Sequence, residues 1–366
     1  MRVAYVHDWL VTYRGGEKVL EALIRLYPEA PIYTLFYKPE SMPESIRKRD
    51  VRHPRGLVPF TGLRKALLPF MPALIESLPL EEYDLVISTS SCVAKGIIPG
   101  PAAKHLCYIH SPMRYIWDQR RHYLKGLQKI PLLSPFIYSL STRLRLWDIS
   151  SSSRVDRFVV NSKFIGKRVQ RYYGRSSEVI HPPCELERFS PKADGGGDDG
   201  APYFLAVGAF VSYKRMDIAI DACKKLGKNL VVVGYGPLER ALRKNCGKNI
   251  SFVINPKDFE LVKLYQNAEA LLFPALEDFG ITAIEAMASG VPVIAYRGGG
   301  ALDFIKPGVT GEFFDEQTSE SMAGVIENFS RKKYHKDNLV SFASGFSRDV
   351  FLNKIRQEID QLIDKE

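Results

Sequence analysis

Apolar residues in this chain form short continuous runs that alternate with longer segments of helical spacing. A continuous apolar run is typical of a parallel strand buried on both faces, and the intervening segments are long enough for crossover helices. The pattern predicts α/β structure, in two successive doubly wound, Rossmann-like domains. The predicted strands are 2–7, 31–36, 84–89, 105–110 and 157–162 in the first half, and 203–210, 229–234, 250–255, 270–275 and 291–296 in the second.

A glycine and aspartate stretch, DGGGDDG, separates the two halves and is typical of a flexible linker. A chain of 366 residues is longer than a single hydrophobic core usually accommodates, so we expect two domains. The N-terminal domain is predicted over 1–190, the linker over 191–202 and the C-terminal domain over 203–345. The last segment, 346–366, has apolar residues at helical spacing. We expect it to form a helix that docks back on the first domain.

Positive charge is concentrated in the first half. Residues 1–180 carry 28 Lys and Arg against 15 Asp and Glu, whereas residues 181–366 carry 23 against 26. This asymmetry favours an anionic partner, such as phosphate groups, an acidic membrane surface or nucleic acid, over solubility alone. The chain has no apolar run of about 18 residues and no signal-peptide pattern at its start, and its five cysteines are scattered, which together predict a cytoplasmic protein.

Candidate binding residues in the first half follow predicted strands, where open α/β sheets bind ligands. Gly15 and Gly16 precede a helix whose free N–H groups suit an anion, although a simple turn explains the pair equally well. His110 ends a strand, and that position favours a functional role. Three residues follow it, Arg114, Tyr115 and Trp117. They either contact a phosphate or a lipid head group, or they are surface and packing residues.

Two cations occupy the start of a predicted helix in the second half. Lys214 and Arg215 there oppose the helix macrodipole, which is unfavourable unless an anion is bound. A bound pyrophosphate would resolve this conflict. The alternative is a solvated basic turn.

Two glutamates eight positions apart indicate a further site. Glu277 lies in the loop after a predicted strand, and Glu285 lies about one turn into a helix among apolar neighbours, where a carboxylate needs a partner. Since a carboxylate accepts two hydrogen bonds from a diol, Glu285 suits a ribose and Glu277 a sugar. The alternative is one surface glutamate and one helix-favouring glutamate. Backbone N–H groups at the helix start suit a phosphate, and they belong to Phe279, Gly280 and Ile281.

These motifs together resemble the retaining glycosyltransferase family 4, over nearly the whole chain. The forms DWL, HSPMRY and YKR are most similar to bacterial O-antigen-type mannosyltransferases. The segments that carry the resemblance are EDFGITAIEAMASGVPVIA, HDWL…RGGEKVLEAL, IHSPMRYIWD, VVNSKFIGKRVQRYYG followed by VIHPP, SYKRMDIAI and VVGYGP.

The resemblance implies a GT-B fold, in which two Rossmann-like domains face a central cleft. It implies that Lys214 contacts the donor phosphates with Gly16 beside them, that Glu285 binds ribose, that Glu277 binds the transferred sugar, and that His110 contacts that sugar near its reacting face. It implies retention of configuration by front-face attack, with the leaving phosphate helping to deprotonate the acceptor. No side-chain nucleophile is then needed.

The chain departs from the family pattern at two positions. Ala209 stands where the family often has an arginine at the pyrophosphate, so either Arg215 substitutes or donor affinity is weaker. Asp303 stands where glutamate is common. The sequence contains no Asp-x-Asp, which predicts no obligatory metal and no cofactor beyond the nucleotide-sugar donor.

The expected activity is transfer of an α-mannosyl group from GDP-mannose to a lipid-linked or polysaccharide glycan in bacterial cell-surface glycan synthesis. Segments 56–78 and 123–147 mix apolar and basic residues, which fits docking on an anionic membrane from the cytoplasmic side or, alternatively, core helices with basic residues outward. We place Asp8, with the residues after His110, on the acceptor or membrane side.

Three other functions remain open from the sequence. The same fold can use a UDP-sugar or another GDP-sugar. An inactive sugar-nucleotide-binding protein is motivated by Ala209. A nucleic-acid-binding protein is motivated by the basic first half, yet the sequence contains none of the usual nucleic-acid-binding motifs, so we expect no such partner.

Overall fold

The computed structural model describes residues 1–64, 66–118, 134–192, 201–244 and 246–364. The chain divides into two compact units. Unit 1 comprises Met1–Pro182 and Phe351–Glu366, and unit 2 comprises Pro183–Val350.

Unit 1 is built on a seven-stranded sheet in which every described pair is parallel. The strands are β1 Val3–His7, β2 Ile32–Thr34, β3 Val51–Arg52, β4 Leu85–Ser90, β5 Lys104–Ile109, β6 Arg157–Val160 and β7 Glu178–Val179. Their order is β3-β2-β1-β4-β5-β6-β7. The helices within Met1–Pro182 are α1 Gly15–Leu23, α2 Glu44–Arg47, α3 Met71–Glu76, α4 Ser134–Ser151 and α5 Lys163–Tyr173.

Unit 2 is built on a six-stranded parallel sheet in the order β10-β9-β8-β11-β12-β13. Its strands are β8 Tyr203–Val207, β9 Asn229–Val233, β10 Ile250–Val253, β11 Ala268–Phe273, β12 Val293–Tyr296 and β13 Gly311–Phe314. Its helices are α6 Met216–Leu226, α7 Glu239–Lys244, α8 Asp258–Gln266, α9 Ile281–Ala288, α10 Ala301–Phe304, α11 Ser319–Glu327 and α12 Lys336–Ser344.

Both sheets are covered on both faces, as the continuous apolar runs predict. In β1, Val3 and Tyr5 belong to one apolar cluster, whereas Ala4 and Val6 belong to the cluster on the opposite face. All ten predicted strands are present. The α/β class and the Rossmann-like organisation of both units are therefore confirmed.

The last helix, α13 Arg348–Ile363, packs mainly in unit 1. It contributes an apolar row at helical spacing to the cluster that contains Tyr5 and Leu20. The members of that row are Phe351, Ile355, Ile359 and Leu362. Arg157 forms an ion pair with Glu358 of the helix at 3.4 Å.

The boundary between the units lies at Pro182/Pro183, eight residues before the predicted end of the first domain at 190. The reason is that the segment after Pro183 packs in unit 2: the Cys184 amide donates to the Phe346 carbonyl at 2.8 Å. Of the predicted linker, residues 193–200 lie outside the described residues. No described helix combines the length and apolarity that a bilayer span requires.

In both sheets the strand order reverses beside the first strand of the unit, between β1 and β4 and between β8 and β11. Ligands of open α/β sheets bind outside the carboxyl ends of the strands at such a reversal. The two candidate sites are therefore at the ends of β1 and β4 and at the ends of β8 and β11.

Candidate active site

In unit 1, two imidazoles face the first turn of α1. A Cβ built on Gly16 would lie 3.5 Å from Nε2 of His110 and 3.8 Å from Cε1 of His7. The Glu17 carboxylate accepts a hydrogen bond from the Arg14 amide at 2.9 Å and caps the helix. The structure thus places Gly16, in the first turn of a helix that begins at Gly15, beside His110.

The His110 side chain presents an unpaired nitrogen. Its Nε2 is buried and has no hydrogen-bond partner among the residues that the structure describes. Its main chain is held by two neighbours, because its amide donates to the Ser90 carbonyl and its carbonyl accepts from Asn161. Burial, with electrostatic contributions from His7 and Arg114, lowers the pKa of His110 to about 3. His110 is therefore a neutral imidazole at physiological pH, suited to hydrogen bonding rather than to ion pairing.

His7 is a candidate that the sequence analysis did not single out. It is buried, its Nδ1 lies 2.6 Å from the Thr89 hydroxyl, and its Nε2 lies 3.9 Å from the Glu17 carboxylate. Its position in the sequence could have identified it, because His7 ends β1 just as His110 follows β5. Its partner Thr89 is 82 positions away, and only the β1–β4 pairing brings the two together.

Asp8 is an internal cap whose carboxylate is not available to an acceptor or a membrane, which corrects the expectation for this residue. The residue is 2% exposed, and its carboxylate accepts five hydrogen bonds of 2.6–3.1 Å from the turn after β4. The donors are the amides of Ser91, Cys92, Val93 and Ala94 and the Ser91 hydroxyl. The sheet order explains the difference, because β1 and β4 are neighbours although they are distant in sequence.

Trp117 is a packing residue, in agreement with the second of the two interpretations. Its indole N–H donates to the Asp148 carboxylate at 2.7 Å, and its ring stacks on Tyr172 with centroids 4.4 Å apart. Arg114 and Tyr115 are half-buried in the same turn, and Tyr115 packs against the apolar cluster of this face.

A buried ion pair beneath Trp117 was not predicted. Lys95 and Asp148 have side chains that are 1% and 0% exposed, and Nζ lies 3.1 Å from Oδ1. The ammonium also donates to the Ser151 hydroxyl, and Tyr173 donates to Asp148 at 3.0 Å. This network ties α4 and α5 to the turn after β4.

In unit 2, a lysine and a glutamate meet where the strand order reverses. Lys214 ends a short 3-10 turn after β8, Glu277 follows β11, and Nζ lies 2.5 Å from the Glu277 carboxylate. Their side chains are 16% and 18% exposed, so the pair is shielded from water but still reachable. The sequence predicted both residues separately, and the structure brings them together.

The start of α9, where the sequence predicts a phosphate site, requires glycine at its N-cap. Gly280 is its N-cap with φ of +126°, and a Cβ there would lie 2.7 Å from the Phe273 ring, so glycine is required. The Phe279 ring is buried and packs against Phe304 and Phe346. Ile281 begins the helix.

Glu285 has the partner that its apolar surroundings demand. It lies on α9, and its Oε2 accepts a hydrogen bond from the Tyr265 hydroxyl at 2.9 Å. Tyr265 is fully buried, and burial together with the charge of Glu285 raises the pKa of the phenol. The carboxylate is thereby held in place on the helix.

Arg215 is engaged locally. Its backbone is left-handed, with φ of +50°, and its guanidinium donates to the Asp217 carboxylate at 3.0–3.2 Å. It does not share the Lys214–Glu277 pair, which weighs against the expectation that it substitutes for the arginine absent at Ala209. Asp303 lies on α10. Within the described ranges, no group of His, Cys, Asp and Glu side chains is arranged to hold a metal ion.

Two protein-family models match successive parts of the chain. Residues 13–188 match the model described as Glycosyltransferase Family 4, and residues 189–344 match the model described as Glycosyl transferases group 1. The transition between the two matches lies within seven residues of the boundary between the units.

The chain is also similar to curated proteins. The alpha-1,3/1,6-mannosyltransferase ALG2 of Homo sapiens is 24% identical, over 99% of this chain and 96% of the relative. An uncharacterized glycosyltransferase of Methanocaldococcus jannaschii is 27% identical over 58% of this chain, and a D-inositol 3-phosphate glycosyltransferase of a Mycobacterium species is 27% identical over 47%. The matched region spans 62% and 44% of the lengths of these last two relatives.

Solved structures share the fold at low sequence identity. The lipopolysaccharide outer core galactosyltransferase WaaB matches with a TM-score of 0.70 at 16% identity, over 99% of both chains. HepE of Anabaena in complex with UDP-glucose matches with a TM-score of 0.71 at 16% identity, over 99% of this chain and 100% of that one. The two Rossmann-like units are thus those of GT-B structures.

Proposed function

The chain belongs to the glycosyltransferases, with a Glycosyltransferase Family 4 domain followed by a Glycosyl transferases group 1 domain, and we propose that it is a retaining, metal-independent mannosyltransferase. The proposed donor is GDP-mannose, and the acceptor is a lipid-linked or polysaccharide glycan of the bacterial cell surface. The similarity to a human mannosyltransferase over 99% of the chain supports this sugar. The similarity to a structure bound to UDP-glucose favours the alternative of a UDP-sugar donor.

The grouping of Lys214, Glu277 and α9 at the strand reversal of unit 2 is the observation that carries the proposal. We assign Lys214 and the amides of residues 279–281 to the donor diphosphate, Glu285 to the ribose and Glu277 to hydroxyls of the sugar. Cations and amides aimed at the diphosphate stabilise the charge that develops as the leaving group departs.

The proposed transfer needs no side-chain nucleophile. The bond between the anomeric carbon and the phosphate oxygen breaks, and its electron pair stays on the nucleoside diphosphate. An acceptor hydroxyl forms the new bond from the same face, and its proton passes to the leaving phosphate oxygen. The anomeric configuration is therefore retained.

In unit 1, we assign Gly15 and Gly16 to an anionic ligand group and His110 to a sugar hydroxyl. Two features support a ligand there: the first turn of α1 is kept open by glycine, and Nε2 of His110 is buried and unpaired within the described residues. A neutral imidazole suits a sugar hydroxyl, because it can donate or accept one hydrogen bond without adding charge.

The donor assignment predicts stabilisation by the cognate nucleotide. At 100 times its dissociation constant, GDP or GDP-mannose should raise the free energy of unfolding by about 2.7 kcal/mol, measured by thermal unfolding beside UDP and UDP-glucose. Glu285→Ala should abolish most of this shift, because the ribose loses its acceptor. Glu327→Ala, which removes an exposed glutamate of the same unit, is the control and should respond like wild type.

The variant must be compared with and without ligand. Glu285→Ala leaves the buried Tyr265 hydroxyl without this acceptor, which should lower the unliganded stability by about 1–3 kcal/mol. Preference for UDP compounds would retain the fold and reaction but change the donor. An absence of any shift in the wild type would contradict the proposal.

We also propose that the protein works as a peripheral protein on the cytoplasmic face of an anionic membrane. Helix α4 exposes apolar side chains, with Phe136, Leu146 and Ile149 being 66%, 63% and 40% exposed, and Arg143 is exposed on the same helix. Phe70, just before α3, is 65% exposed. Exposed apolar residues beside cations favour the interface of an anionic bilayer, which fits a lipid-linked acceptor.

This membrane assignment predicts that Phe136→Ser with Leu146→Ser reduces co-sedimentation with anionic liposomes at low salt. Both side chains are exposed, so the fold should be little affected. The control is Phe259→Ser, which removes an exposed aromatic of unit 2 and should bind like wild type. Equal binding by all three proteins would refute the role of Phe136 and Leu146, and no binding by the wild type would refute the membrane assignment.

A further inference from the structure

The Lys214–Glu277 pair places a carboxylate where the proposed function requires a diphosphate. Nζ of Lys214 lies 2.5 Å from the Glu277 carboxylate, and both side chains are more than four-fifths shielded from water. A diphosphate that binds this ammonium must compete with Glu277 for it. The inference that follows rests on the proposed donor site.

Competition for the ammonium has an energetic consequence. When the diphosphate takes the ammonium, Glu277 loses its counter-ion and stands near a second anion. The lost attraction to the ammonium and the new repulsion from the diphosphate both destabilise the charged Glu277 carboxylate. Such interactions are strong between charges a few ångströms apart in a partly buried site. The neighbouring cation does not offset this, because Asp217 already binds the Arg215 guanidinium.

A nucleotide sugar differs from a bare nucleotide in what it offers Glu277. Sugar hydroxyls can donate hydrogen bonds to the Glu277 carboxylate and so replace the lost ammonium. Hydrogen bonds to a charged acceptor are stronger than those between neutral groups. A nucleoside diphosphate has no such hydroxyls at this position, and it leaves the carboxylate unsatisfied. Leaving a shielded charge without a partner is costly.

We propose that Glu277 discriminates between donor and product: it weakens binding of the bare nucleoside diphosphate relative to the nucleotide sugar. The same carboxylate that grips the sugar therefore promotes release of the product once the sugar has left. Glu277 is a specificity-determining residue as well as a sugar ligand.

The test is isothermal titration of wild type and Glu277→Gln with four ligands: GDP, UDP, GDP-mannose and UDP-glucose. Glutamine keeps the size of the side chain and removes its charge. The variant should bind the cognate bare diphosphate about tenfold more tightly, because the diphosphate no longer competes with or faces an anion. It should bind the cognate nucleotide sugar no more tightly than wild type, and it should transfer sugar more slowly.

Two further comparisons make the outcome decisive. Glu327→Gln removes one exposed charge from the same unit and should leave all four affinities unchanged. In the wild type, the nucleotide sugar should bind at least as tightly as its bare diphosphate, a measurement that needs no variant. Thermal unfolding of each variant checks that it is folded.

The outcomes separate this inference from the proposed function. If the wild type binds a nucleotide sugar but Glu277→Gln binds the bare diphosphate no more tightly, or if the wild type prefers the bare diphosphate, discrimination by Glu277 is refuted while the donor site remains. If the wild type binds none of the four ligands, the proposed function and this inference both fail.

Discussion

Asp148→Ala is expected to lower the free energy of unfolding of unit 1 by about 3–5 kcal/mol, because it leaves the Lys95 ammonium buried without its counter-ion. The loss should appear in chemical denaturation followed by tryptophan fluorescence. All three tryptophans, Trp9, Trp117 and Trp147, lie in unit 1, so the signal reports on that unit.

Two variants serve as references for this loss. Glu29→Ala removes an exposed carboxylate of the same unit and should change stability by less than about 0.5 kcal/mol. The double substitution Lys95→Met with Asp148→Leu removes both charges and should cost much less than Asp148→Ala alone, since no buried charge is stranded. A loss below about 1 kcal/mol in Asp148→Ala would show that the pair does not hold α4 in place.

Lys214→Ala is expected to lower kcat/KM for the cognate donor by about 10²–10³-fold, the usual cost of removing one charged or hydrogen-bonding group that stabilises a transition state. The proposed cause is the loss of the cation that meets the leaving diphosphate. The measurement is initial-rate kinetics with the donor identified by the unfolding assay.

The control for this prediction is Lys225→Ala, which removes an exposed lysine from α6 in the same unit. It should retain wild-type kcat/KM. A value for Lys214→Ala within about threefold of wild type would contradict the role of Lys214 and remove the main support for the donor site.

The strands that the hydrophobic pattern did not predict are the short ones near the sheet edges. β3 and β7 have two residues each and β13 has four. A strand of two residues is too short to show an alternating or a continuous apolar pattern. Such a strand is recognised only by its hydrogen bonds to the neighbouring strand, which the sequence does not reveal. In β13, Gly311 fits closely against the Val293 backbone, where a Cβ would lie 1.9 Å from the Val293 carbonyl oxygen.

The sequence by itself determined those features that depend on residues close together in the chain. The period of the apolar residues predicted ten strands, and the eight-residue spacing placed Glu277 in a loop and Glu285 on the following helix. Glycine at position 280 was predicted at the start of that helix, where its backbone conformation excludes other residues.

Only the tertiary structure decided which distant residues meet. Lys214 and Glu277 are 63 positions apart, Lys95 and Asp148 are 53 apart, and Asp8 caps a turn more than 80 positions away. Each contact depends on the order of strands in the sheet and on which helix covers them. Local spacing carries no information about that order, because any of several strands has the same apolar pattern and could occupy the same place.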